Sequence, residues 1–250
     1  NSQNVGAFSQ LCFTFLDWIE SHNLHIPWIV VDMEPSLQYS ADLDACFHPF
    51  RPLKLRKFLK QKARISQFDE AVKQFNHLIE ELHQRHCQAM VVTFPLIIDD
   101  FKDRHFQLQK ALHLPISGVK WDKVSLLTYR TSFQDLMRLK FSPYLIYSYL
   151  KEAKQYFNCP LAADLGVIGQ VEKLHHNGGG YQEPDELSLD IAAAKSVNVD
   201  EIHLFSLDGM LQCGNLETWL ETLQTPEQTP LPCWTDIFFR HMIQWGDKLL

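Results

Sequence analysis

The stretch WIVVDMEP, Trp28 to Pro35, decides the fold. It overlaps the segment Ile26–Glu34, which reads as a buried strand ending in two carboxylates and followed by a proline, and a nearly continuous apolar strand is the mark of a parallel sheet covered on both faces. Working outward, Val5 to Ser21 places Phe8, Leu11, Cys12, Phe15, Leu16 and Ile19 at the three-and-four spacing of an amphipathic helix. The same alternation continues downstream. Ala89–Ile98, Val124–Tyr129, Pro160–Ile168 and Ile202–Leu207 read as four further strands. Between and after them, the spacing predicts helices over Lys54–Ala63, Phe68–His86, Arg104–Leu112, Phe133–Leu139, Pro143–Phe157, Pro184–Val197, Asn215–Leu223 and Phe238–Trp245.

Five strands joined by helical crossovers require a parallel α/β sheet, either doubly wound or part of a barrel. A doubly wound nucleotide-binding sheet usually carries a glycine-rich turn after its first strand, and neither G-x-G-x-x-G nor G-x-x-x-x-G-K-[ST] occurs. The triple glycine Gly178–Gly180, within the segment His175–Tyr181, follows no strand directly and reads as a loop. The barrel is favoured because every strand delivers a polar group at the same end, where α/β barrels carry their functional groups. These groups are Asp32 and Glu34, Asp99 and Asp100, Tyr129 and Arg130, Asp164, and Asp208. The expectation is one (β/α)8 TIM-barrel-like domain over residues 1–250, with strands four to eight present and the N-terminal ones missing. Residues 225–250 would form a wrap-around loop and closing helix.

Composition narrows the function. With 46% hydrophobic and 21% charged residues among 250, the chain can bury a large core, and a formal net charge of -7 gives no electrostatic ground for nucleic acid or an anionic membrane. No apolar run approaches the ~18–20 residues that span a bilayer. The six cysteines stand far apart without a Cys-x-x-Cys pair and read mostly as buried thiols, so neither a metal nor a cofactor is expected. His83 with His86, and His175 with His176, lack a third ligand. No Gly-x-Ser-x-Gly elbow is present. Oligomeric state and compartment are not legible.

Asp32 and Glu34 carry the sharpest signal. Two residues apart on a strand, they share a face, while Ile29, Val31 and Met33 share the other. Neighbouring carboxylates in a partly dry pocket raise one pKa, which would leave Glu34 protonated as an acid beside an ionised Asp32. Carboxylates, a phenol and a guanidinium around one mouth suit acid–base chemistry on a neutral polyol.

On these residues the chain resembles the chitinase-like family-18 glycoside hydrolases. WIVVDMEP is similar to their fourth barrel strand, SLLTYR (Ser125–Arg130) to the sixth, and HLFSLDG (His203–Gly209) to the eighth. The resemblance implies a glycosidase in which Glu34 protonates the glycosidic oxygen, Asp32 orients or stabilises the reacting centre, and Tyr129 donates to the substrate. Asp99, Arg130, Asp164, Phe205 and Asp208 would line the carbohydrate site. The sequence departs from the family at Pro27 and Val30, where further aspartates are expected, at Arg130 in place of an Asp, and at Phe205 in place of a Trp. A muramidase-type barrel shares the Asp-x-Glu ending. The rival readings are a non-catalytic barrel binding a glycan or a protein, and a doubly wound enzyme for a phosphorylated metabolite.

Overall fold

A computed structural model describes residues 1–36, 39, 42, 52–64, 67–101, 106–169 and 180–248. Cys46, His175, His176, Gly178 and Gly179 lie outside the described residues. The chain is an α/β protein whose five strands are β1 (Trp28–Met33), β2 (Gln88–Thr93), β3 (Lys123–Leu127), β4 (Leu161–Gly166) and β5 (Glu201–Phe205). They lie in one sheet in the order β1-β2-β3-β4-β5, and the pairs β1–β2 and β4–β5 are parallel. A doubly wound sheet reverses its order at a switch point. Sequential order has no such reversal, so the phosphorylated-metabolite reading loses its architectural basis.

The helices are α1 (Val5–Ser21), α2 (Pro52–Arg64), α3 (Phe68–Gln84), α4 (Gln107–Leu112), α5 (Arg130–Met137), α6 (Tyr144–Tyr156), α7 (Pro184–Lys195), α8 (Leu207–Cys213), α9 (Leu216–Glu221) and α10 (Trp234–Lys248). Several expected boundaries move: the helix expected over Phe133–Leu139 spans Arg130–Met137, and the strand expected over Ile202–Leu207 spans Glu201–Phe205, with Leu207 opening α8. The run expected as a strand over Ala89–Ile98 stops at Thr93 because Pro95 cannot donate to a ladder, and Pro95–Phe101 winds into a 3-10 helix instead. The expected closing helix starts four residues earlier, at Trp234.

The chain divides into two compact units. The first comprises residues 1–93, 100–124 and 246–250. Its core is the apolar face of α3, where Phe68, Ala71, Phe75, Leu78, Ile79 and Leu82 recur at helical spacing and are buried. Phe75 packs against Phe8 and Trp121. On α1 only Val5, Cys12, Leu16 and Ile19 are buried. Leu11 and Phe15, expected on the same inward stripe, are exposed, so the buried face is narrower than the sequence suggested. In β1 and β2, Val31, Met33, Ala89, Val91 and Thr93 are buried, whereas Val30 on the alternate face of β1 is 52% exposed. A closed barrel fills its interior with packed side chains. The expectation that both faces of this strand are covered is corrected here.

The second unit comprises residues 94–99 and 125–245. Every residue of β4 is buried. Two buried ionic networks brace its helices. Asp190 of α7, fully buried, accepts two bonds from Arg130 Nε at 2.8 and 2.9 Å and one from the Tyr181 hydroxyl. Asp99 accepts from Arg240 (2.5 Å), Gln244 (2.8 Å) and Tyr149 (2.9 Å), which ties α10 to α6 and to the Pro95–Phe101 turn. Close backbone approach requires glycine at position 209, where a Cβ would sit 1.9 Å from the Ile168 carbonyl oxygen. Among the described residues no helix is long and apolar enough to cross a membrane.

Candidate functional site

In the second unit, the alternation of β4 and β5 places Asp164 opposite His203 in register. Glu201 and Phe205 fall on the same face of β5 as His203, each two residues away. Asp164 Oδ1 lies 2.7 Å from His203 Nδ1, and Asp164 Oδ2 accepts the Ser125 hydroxyl at 2.8 Å. Glu201 Oε2 lies 3.1 Å from His203 Nε2. Ser125 is fully buried and Asp164 nearly so, while His203 is half-exposed, so the chain of groups runs from the interior to solvent. Hydrogen bonding to Asp164 raises the imidazole pKa most strongly, burial opposes it, and Glu201 adds to the rise. With both nitrogens facing carboxylates, the imidazolium form satisfies both bonds at once.

Beside His203, Phe205 is 40% exposed and its ring stacks with Tyr129 at 5.8 Å between centroids and 23° between planes. Gly166 makes this approach possible, since a Cβ there would come within 2.7 Å of the Phe205 carbonyl oxygen and 3.2 Å of the Tyr129 ring. The second unit therefore presents an aromatic shelf next to a carboxylate-held imidazole. Such an arrangement is able to exchange a proton at the imidazole. Nucleophilic activation does not fit the order of groups, because the Ser125 hydroxyl donates to the carboxylate and not to the imidazole.

The expected site residues distribute as follows. Tyr129, Asp164 and Phe205 belong to this face. Arg130 and Asp99 are buried and their charges are met by Asp190 and Arg240. Asp100, in the first unit, accepts the backbone N–H groups of Leu108 (3.0 Å) and Gln109 (2.7 Å) and so caps the start of α4. Asp208 is exposed in the first turn of α8. Asp32 and Glu34, also in the first unit, share the exposed side of β1 as the alternation required. Partial burial pushes the Glu34 carboxyl above its ordinary range, and the Asp32 charge pushes it further. His83 bonds to Asp122, which also accepts the Ala89 N–H, a bridge between α3 and β2. No group of three or more His, Cys, Asp or Glu able to hold a metal occurs among the described residues. The five cysteines described are free thiols, two of them buried.

Sequence reasoning passed over Ser125, His203 and Glu201. The signal was present, because polar residues at mid-strand in otherwise apolar strands need partners. Ser125 and His203 lie within SLLTYR and HLFSLDG, where the strand-end groups carry the more conspicuous polarity.

No family model matches the chain, and no curated protein matches it. Among solved structures, the match includes coproporphyrinogen III oxidase (HemN) from Escherichia coli, a radical SAM enzyme, at TM-score 0.32 and 13% identity. The match covers 89% of this chain and 53% of that one, so the chain spans about half the length of that enzyme. A likeness of that size carries no argument about activity. The resemblance to family-18 and muramidase-type glycoside hydrolases is withdrawn: no family model and no curated protein of that kind matches the chain. With it go the glycosidase reading, the role of Glu34 as the acid that cleaves a glycosidic bond, and the carbohydrate ligand. The physical reason is that Asp-x-Glu after an apolar strand needs only period-two alternation at a sheet's exposed face, which β1 supplies by itself.

Proposed function

We propose that this chain performs general acid–base chemistry on a small molecule at the exposed face of β4 and β5, with His203 transferring the proton. Asp164 holds the ring and Tyr129 with Phe205 bounds the ligand. The observation that carries this reading is the 2.7 Å contact between Asp164 Oδ1 and His203 Nδ1, backed by the Ser125 hydroxyl on the other carboxylate oxygen.

The roles follow from the bonds. Nδ1–H donates to Asp164, which fixes the ring's orientation and leaves Nε2 as the nitrogen that exchanges protons. A substrate oxygen or nitrogen that displaces Glu201 from Nε2–H receives a hydrogen bond and then the proton, and Asp164 stabilises the charge on the imidazole before transfer. In reverse, neutral His203 takes a proton at Nε2 and Asp164 stabilises the imidazolium formed. Ser125 keeps the carboxylate from rotating. The sequential strand order supports reading the sheet as part of a (β/α)8-type architecture, with Phe205 at the end of β5 and Tyr129 two residues past the end of β3.

A fragment screen followed by NMR chemical-shift mapping tests the proposal. Hits are expected to perturb the His203 imidazole together with Phe205 and Tyr129, and to be lost in His203→Gln. Hits that leave His203 unperturbed, or that bind His203→Gln equally, would overturn it.

A further inference from the structure

Helix α10 is anchored on one side and bare on the other. The Ser142 N–H donates to Asp236 Oδ1 at 3.1 Å, Arg240 is held by Asp99 and Glu152, and Phe239 is buried against Phe133 and Phe141. These three positions fix the rotation of the helix about its axis, and at 3.6 residues per turn Trp234, Phe238 and His241 then fall on the opposite side. All three are exposed there, Trp234 by 86% and Phe238 by 67%. Leu231, between Pro230 and Pro232 and 85% exposed, extends the row beyond the start of the helix. The segment leading into it is fastened along α7, because Lys195 Nζ donates to the Leu223 carbonyl (2.6 Å) and the Thr225 carbonyl (2.8 Å), and the Gln228 N–H to the Ala192 carbonyl (3.1 Å). The row is therefore held in place with its apolar side chains outward.

Trp234, Phe238 and Leu231 together offer roughly 400 Å² of apolar surface, from the ~150–250 Å² that an aromatic side chain buries and the ~100 Å² of a leucine. A contiguous apolar face of that size marks an interaction site. Two such faces, at the ~60% apolar share of an interface, correspond to roughly 1,300 Å² of total buried surface, within the ~1,200–2,000 Å² that a stable interface buries. A two-fold interface uses one patch twice, so the patch has to tolerate its own image. Between Leu231 and His241 the fixed charges are Asp236 and Arg240, and both are turned inward and buried. Neither meets its copy. The aromatic pair one helical turn apart is also self-complementary, since antiparallel crossing sets each ring against the other kind.

We infer that this face joins two copies of the chain, α10 crossing its equivalent about a two-fold axis so that Trp234 of each protomer stacks on the partner's Phe238. Sedimentation velocity of the whole chain across a concentration series tests it. Interfaces of this size bind at micromolar or tighter, so the mass is expected to reach twice that of the chain by about 100 µM. Trp234→Glu and Phe238→Glu should each weaken association about thirtyfold or more, the loss of a central aromatic anchor. Leu11→Glu, at an exposed apolar position of α1, should leave association unchanged. All three positions are exposed, and an unchanged far-ultraviolet circular dichroism spectrum verifies each variant's fold. Trp234→Glu mixed with Phe238→Lys should associate more tightly than either variant alone, because one Trp–Phe contact is kept and the other becomes a Glu–Lys pair.

A chain that stays monomeric at 100 µM, or a dimer indifferent to Trp234→Glu and Phe238→Glu, overturns the inference. A dimer lost equally in Leu11→Glu overturns the assignment to this face, and a mixture no tighter than its components overturns the two-fold pairing. A monomer that binds phosphatidylcholine vesicles through Trp234 and Phe238 makes lipid the occupant and likewise overturns the inference.

Discussion

Replacing Arg240 by Met should destabilise the protein by about 3–5 kcal/mol at pH 8, the cost of leaving a buried carboxylate without its cation. The magnitude comes from what the guanidinium holds. It bonds Asp99 at 2.5 Å, Glu152 at 2.6 Å and the Ser148 carbonyl at 3.1 Å, and it lies 4.1 Å from the Tyr149 ring centre. Asp99 is 1% exposed, so water cannot replace the lost partner. Burial already raises the Asp99 pKa, and Arg240 is the largest influence opposing that rise. Without Arg240 the folded pKa climbs further above the unfolded value of about 3.9. The folded state then holds a proton that the unfolded state releases, so stability falls as pH rises through that window, by up to about 1.4 kcal/mol per pH unit. Arg240→Met should therefore be milder at pH 5 than at pH 8. Thermal melts of wild type, Arg240→Met, Asp99→Asn and the double variant measure this, with an expected loss at pH 8 of about 10 °C for a chain of this length. The double variant should cost clearly less than the sum of the singles, because it removes both members of the Asp99–Arg240 pair and leaves neither charge facing an empty partner. A pH-independent loss below about 0.5 kcal/mol, or strict additivity, would refute the reasoning.

Two further outcomes follow from single positions. Asp32→Asn should lower the Glu34 pKa toward the ordinary carboxylate range, because the Asp32 charge is the second cause of its rise; in wild type the raised folded pKa means that Glu34's contribution to stability is lost as pH rises past it, and a carboxyl carbon NMR titration showing no change would contradict this. Gly209→Ala should cost at least about 2 kcal/mol, since the added Cβ meets the Ile168 carbonyl oxygen at 1.9 Å and neither partner is a flexible side chain; a melt within about 1 °C of wild type would count against the close approach.

Much of the architecture was legible because it rests on periodicity. The stripe Phe68, Val72, Phe75, Leu78, Ile79 and Leu82 marks α3, and Pro184 with Asp185 marks the start of α7. Periodicity says which residues share a face and not what lies opposite that face. Hence Asp32 and Glu34 were placed side by side correctly, while the enclosure imagined around them was not there to read. Arg130 shows the same limit from the other side. At a strand end it looked available, but its counter-charge Asp190 lies 60 positions later on a helix whose inward face is defined only by packing. The Ser125–Asp164–His203 network joins three strands and was invisible for the same reason, since strand register is set by tertiary contact.

The central claim, that Asp164 holds His203 in a proton-transferring state, is tested most directly by following the His203 ring resonances against pH in wild type and Asp164→Asn. The account predicts a pKa above the ordinary histidine value of about 6.5 in wild type and a fall in the variant, with stability that declines as pH rises through the wild-type pKa and loses that dependence in Asp164→Asn. A wild-type value at or below the ordinary one, or a value indifferent to Asp164→Asn, would contradict it.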